Sequence, residues 1–128
     1  MPSVALRLLP GDFAICRLPA GSALPVWAGG GGGFRAVTRT ADEASIICRS
    51  EDVPPETRHE AGWVILKFEG PFAFTETGIL SSVLAPLAQA GIPILAQSTF
   101  DTDYVLVKSA QVDAAIAVLK AAGHRVSE

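Results

Sequence analysis

TETGILSSVLAPLAQAGIPILAQSTFDTDYVLVK, residues 75–108, changes its hydrophobic period from that of a helix to that of two strands, and that change decides the fold. Ile79, Leu80, Val83, Leu84 and Leu87 recur at i, i+4 and i+8 with i+1 partners, which is one face of a helix. Thr75 or Thr77 is placed to cap its start, and Gly91 to close it in the left-handed conformation. Pro86 lies inside the pattern and is expected to bend the helix, because its ring clashes with the carbonyl of Ser82. IPILAQS then reads as a strand, TFDT as a connection and DYVLVK as the next strand.

Upstream, GWVILKFEG (62–70) is a β-rich run closed by Gly-Pro. Downstream, SAQVDAAIAVLKAAG places Val112, Ile116 and Leu119 at helical spacing, with Ser109 to cap and Gly123 to stop, and HRVSE is a short closing strand. The order β-α-β-β-α-β is the split βαβ, or ferredoxin-like, arrangement, an antiparallel sheet with two helices on one face. The first half is a reduced copy. DFAICRL alternates as a strand, SALPVWAG makes about one helical turn, and FRAVTRT and ASIICRS are two strands around the turn ADE. EDVPPETRHEA is polar, proline-rich and too short for the second helix. The expected fold is therefore α+β, with a degenerate unit over 1–61 and a full unit over 62–128. AGGGGGF (28–34) does not continue into Gly-Lys-Ser/Thr and does not lie between a strand and a helix, so it reads as a mobile linker, not a phosphate loop.

Composition narrows the function. Hydrophobic residues make up 49% and charged residues 18% of the 128, enough apolar content for a core and too much for disorder. The net charge of −3, with both signs interspersed, lacks the basic stripe that nucleic-acid binding needs. A ferredoxin-like RNA binder would also need stacking aromatics, which are sparse. No apolar run approaches the ~18 residues of a membrane span, and MPSVALRLLPGDF lacks the features of a signal peptide. A cytoplasmic location is expected, with Cys16 and Cys48 as buried thiols.

Catalytic candidates are few. His59 sits in the polar connector beside Arg58 and Glu60, and His124 begins the last strand with no patterned partner. No metal-ligand spacing and no nucleophile motif is present, so no cofactor, metal or catalytic residue is expected. Two polar clusters remain. FTETGIL (74–80) opens a helix, whose first amides are unpaired and whose dipole is positive. STFDTDY (98–104) links two strands. Taken singly, each is explained as a cap or a turn. The topology brings both to the same helix start, where the amides of Gly78 and Ile79 suit a carboxylate and Glu76 and Asp103 suit an ammonium or guanidinium. That pairing is what a zwitterionic amino acid requires.

EGPFAFTETGILSSVLAPLAQAGIPILAQSTFDTDYVLVK (69–108), through VLKAAGHRV, closely resembles an ACT domain, and FRAVTRTADEASIIC (34–48) resembles the first unit of a tandem pair more loosely. The nearest pattern is that of the CASTOR family of cytosolic arginine sensors and of short bacterial proteins carrying two ACT units. The resemblance implies a non-catalytic regulatory protein that binds an amino acid, arginine being the first candidate. It implies contacts from Glu76, Thr77, Gly78, Ile79, Ser98, Thr99, Phe100 and Asp103. It also implies a homodimer, since the arginine sensor has four units where this chain has two, and a downstream protein partner. Nucleic acid and membrane are not expected partners. The rival expectations are a dimerisation module without ligand and a small enzyme of amino-acid metabolism.

Overall fold

The computed structural model describes residues 2–30, 32–73 and 75–128, so Gly31 of the glycine tract and Phe74 of FTETGIL lie outside the described residues. By its internal contacts the chain divides into two compact units, Gly11–Trp63 and Met1–Pro10 with Val64–Glu128. The strands are β1 (Ala5–Leu8), β2 (Phe13–Pro19), β3 (Ala36–Arg39), β4 (Glu43–Arg49), β5 (His59–Phe68), β6 (Ile94–Ser98), β7 (Asp103–Lys108) and β8 (Arg125–Ser127). The helices are α1 (Val26–Gly29), α2 (Ile79–Gln89) and α3 (Val112–Ala121).

In the larger unit the strands run in the order β6-β7-β5-β1-β8. The β-α-β-β-α-β order expected from the sequence is present as β5-α2-β6-β7-α3-β8. Alternation sends Leu66 and Phe68 of β5, and Val105 and Val107 of β7, to one face of the sheet. There they form one buried cluster with Val83 and Leu87 of α2 and Ala115 and Leu119 of α3, so both helices cover the same face.

One strand was not read from the sequence. β1 is inserted between β5, to which it is antiparallel, and β8, to which it is parallel. Ala5–Leu8, grouped with the first half by the 61/62 boundary, thus pairs within the larger unit. Four residues between Pro2 and Pro10 are too short a run for periodicity to mark, but Leu6 is fully buried in the cluster.

Neither expected side-chain cap forms. Gly78 is the N-cap of α2 at φ 79°, and no side chain caps the helix. That left-handed backbone is cheap for glycine and costly for a β-branched threonine. α3 begins after a 3₁₀ turn over Ser109–Gln111, with Gln111 and not Ser109 as its N-cap. Gly91 and Gly123 do take positive φ after the two helices.

The smaller unit has strand order β3-β4-β2-β5, each pair antiparallel, with the one-turn α1 against it. Ala14, Cys16, Ala28, Ile46, Cys48 and Val53 form its core. Arg35 donates from Nη1 to the Trp27 carbonyl at 3.0 Å and pairs with Asp52 at 3.1 Å.

Cys16 and Cys48 are both free and buried, as expected. They lie two register positions apart on β2 and β4, with Ala14 opposite Cys48 and Cys16 opposite Ile46. Burial, followed by the neighbouring Cys48 thiol, pushes Cys16 up from 9.0 to about 12. Between those values the unfolded chain has released a proton that the native chain keeps. The thiol's contribution to stability is therefore complete below pH 9.0 and is lost as the pH rises toward 12. Urea unfolding between pH about 8 and about 10.5 should show the midpoint of the wild type falling more steeply than that of Cys16→Ala. Parallel slopes would contradict this assignment.

Candidate functional site

The chain leaving β5 and the β6–β7 connection are tied together. Thr102, itself buried, donates its hydroxyl to the Phe68 carbonyl at 2.7 Å, and the Phe72 amide donates to the Asp101 carbonyl at 3.0 Å. At Gly70 a Cβ would stand 3.0 Å from the Asp101 carbonyl oxygen, so a larger residue would push the two segments apart. The connection holds its own shape through Thr99, whose amide and hydroxyl both donate to the Thr102 carbonyl, at 2.8 and 3.1 Å. Glu76 is tied back to Ala73: its carboxylate accepts from the Ala73 amide at 2.9 Å and its own amide donates to the Ala73 carbonyl at 3.0 Å.

Between these segments and α2 lies a cavity of about 690 Å³. Glu76, Gly78, Ile79, Ser98, Thr99, Phe100 and Asp103 all line it. Of the residues singled out in the sequence, only Thr77 is absent from the lining; its side chain is exposed and caps nothing. Leu80 and Asp101, from the same two clusters, line it as well, and so do Phe72, Leu84, Ala85 and Ala88, which were not anticipated. Leu80, Leu84 and Ala88 repeat at i+4 beside the core stripe, a second row of the same helix, half-buried at the two leucines and exposed at Ala88, that could have been read as a wall. From Ile79 to Ala88 that wall extends roughly 13 Å at about 1.5 Å per residue.

The cavity has a polar end and an apolar flank. Among the described residues, its lining has three carboxylates, Glu76, Asp101 and Asp103, and no basic side chain. Glu76 commits Oε1 to the Ala73 amide, and Asp103 commits Oδ1 to a short hydrogen bond from the Ser98 hydroxyl. Each carboxylate keeps a second oxygen. Opposite them stands the start of α2, where no side-chain cap and no first-turn acid occupies the positive end of the helix. The amides of Ile79 and Leu80 find no partner among the described residues. Negative side chains and unpaired amides thus face one cavity at neighbouring points. A molecule carrying both a cation and a carboxylate meets both, with an apolar surface beside them.

Neither histidine belongs to this cavity. His59 is exposed at the start of β5, with Nδ1 2.6 Å from the Thr57 carbonyl oxygen, and His124 is buried beneath α2. Among the described residues, no helix is long and apolar enough to cross a membrane.

Comparison with known proteins places this arrangement. A family model for the ACT domain matches residues 58–121, and a second model, described as an N-terminal domain, matches residues 11–56. The "Cytosolic arginine sensor for mTORC1 subunit 1" of Bos taurus is 30% identical over 97 residues, 67% of this chain. The chain spans only 30% of that relative's length. A crystal structure of a protein from Agobacterium tumefaciens is 46% identical with a TM-score of 0.94, over 100% of this chain and 96% of the other. The regulatory subunit of aspartate kinase from Thermus thermophilus shares the fold at 10% identity, with a TM-score of 0.63 over 91% of this chain and 96% of the subunit. With half of its length matched by the domain model and the strand-helix order of that unit complete, the chain belongs to the ACT domain family.

Proposed function

We propose that this protein is a non-catalytic, cytoplasmic regulatory module that binds a cationic amino acid in the cavity at the start of α2. One observation carries the reading. An uncapped helix start and three carboxylates, with no base among them, line the same cavity. The α-carboxylate accepts from the Ile79 and Leu80 amides, and the free oxygens of Glu76 and Asp103 hold the cationic groups. Leu80 and Leu84 flank the methylenes. Arginine is the first candidate because its planar fork engages a carboxylate bidentately, where a lysine ammonium acts as a point charge. The relative named as an arginine sensor supports the same choice. Two copies of the chain would assemble four ACT units, and the ligand-bound dimer would act on a protein partner.

A ligand bound only by the folded state adds RT ln(1 + [L]/Kd), about 2.7 kcal/mol at a hundredfold excess over Kd. In a domain of this size that raises Tm by roughly several degrees. In a melting screen, arginine should stabilise most and lysine less. Agmatine, which keeps the guanidinium and lacks the carboxylate, should do much less than arginine. A transition that no amino acid moves, or that agmatine moves as far as arginine, would contradict the proposal.

The two aspartates of the β6–β7 connection should separate. Asp103 is half-buried and fixed by Ser98, whereas Asp101 is exposed. Asp103→Ala should weaken arginine binding by about 2–5 kcal/mol, much of it from leaving the ligand cation unpaired, with Asp101→Ala costing less. Calorimetry giving Asp103→Ala the wild-type affinity would remove Asp103 from the site.

A further inference from the structure

Ser82 lies on the buried side of α2, 1% exposed, and all three of its polar groups are engaged. Its amide donates to the Gly78 carbonyl at 3.0 Å and its hydroxyl to the Ile79 carbonyl at 2.7 Å. Its carbonyl would normally accept from the amide four residues on, but that residue is Pro86, which has none. His124 takes the place of the missing donor, with Nε2 2.8 Å from the Ser82 carbonyl oxygen. The imidazole is 5% exposed, and its Nδ1 accepts from the Val4 amide at 3.0 Å, which leaves the ring proton on Nε2 to be donated. The backbone of His124 is fixed in turn, its amide donating to the Leu119 carbonyl at 3.0 Å.

The consequence lies in the peptide planes. The Gly78 carbonyl and the Ile79 amide share one plane, and the Ile79 carbonyl and the Leu80 amide share the next. Holding a carbonyl on the buried side sets the direction of the amide at the opposite end of its plane. Ser82 holds both carbonyls, sharing the Gly78 one with the Ser81 hydroxyl at 3.3 Å, and the two amides it aims are among those at the cavity that find no partner among the described residues.

We infer that Ser82, braced by His124 through the carbonyl that Pro86 leaves free, is the positioning residue of the carboxylate subsite; the inference rests on the ligand reading above. Ser82 touches no ligand and acts through the two peptide groups. Nothing in the ACT assignment requires a serine, a histidine and a proline in this relation.

Calorimetry on Ser82→Ala, with arginine and agmatine as the titrants, tests it. Alanine suits a helix interior, so the fold is retained while the hydroxyl's hold on Ile79 is lost. Arginine affinity should fall about three- to tenfold, the span of one neutral hydrogen bond. The weaker agmatine affinity should not change, because agmatine presents no carboxylate to the amides. His124→Leu should produce the same selective loss together with a lower Tm. Adding Pro86→Ala to His124→Leu returns a helical amide to the Ser82 carbonyl, and should recover both Tm and the arginine affinity. The inference is overturned if Ser82→Ala binds arginine as the wild type does, or loses arginine and agmatine in equal measure. It is overturned as well if the double variant regains stability without regaining arginine affinity. Absence of arginine binding by the wild type would instead overturn the ligand reading itself, and the inference with it.

Discussion

The cavity depends on a short tie between two loops that are far apart in sequence. The hydroxyl of Thr102 reaches the Phe68 carbonyl where β5 ends, and the Phe72 amide reaches Asp101 just beyond. Without that tie, the segment leading into α2 and the β6–β7 connection would be independent surface loops. With it, Glu76 and Asp103 line the same cavity as the start of α2. Thr102 is buried, so breaking this bond with the hydroxyl in place would leave that hydroxyl without its acceptor at a cost of about 1–3 kcal/mol, while the Phe68 carbonyl keeps the Gly70 amide at 3.0 Å.

The same economy of polar groups holds within α2. A proline in the helix interior removes an amide, and an uncapped start leaves others unpaired; either alone would weaken so short a helix. The two defects are treated differently. The lost partner of Ser82 is replaced by a buried imidazole, whereas the amides at the start are left to the cavity. Such selectivity is hard to attribute to packing alone, since Thr75 and Thr77 stand beside the helix start and neither caps it. Glu76 is also turned away, folded back onto Ala73.

Much of this was legible because it is periodic. The α2 stripe, the alternation along β5 and β7, and the punctuation at Gly91 and Gly123 each follow from local chemistry, and the second unit has the order that they dictate. What escaped depends on contacts remote in sequence or on backbone signs. Threonines flanking a helix start look like caps, but Gly78 adopts a positive φ and makes the cap itself. Four residues near the N-terminus carry no period, although β1 sits between β5 and β8. His124 had no visible partner, since Val4 and Ser82 lie 120 and 42 residues away. At the cavity, the placement of Glu76, Ile79, Ser98 and Asp103 follows from topology, while Leu84, Ala85 and Ala88 were hidden on the half-exposed flank of the helix.

The central claim is that an amino-acid carboxylate sits on the amides of α2. Backbone amide resonances followed during titration with arginine test it directly. The account predicts saturable shifts at Ile79 and Leu80, accompanied by the β6–β7 connection around Ser98–Asp103, with agmatine reproducing the second set and not the first. Saturating arginine that leaves Ile79 and Leu80 unmoved, whatever else it shifts, would contradict it.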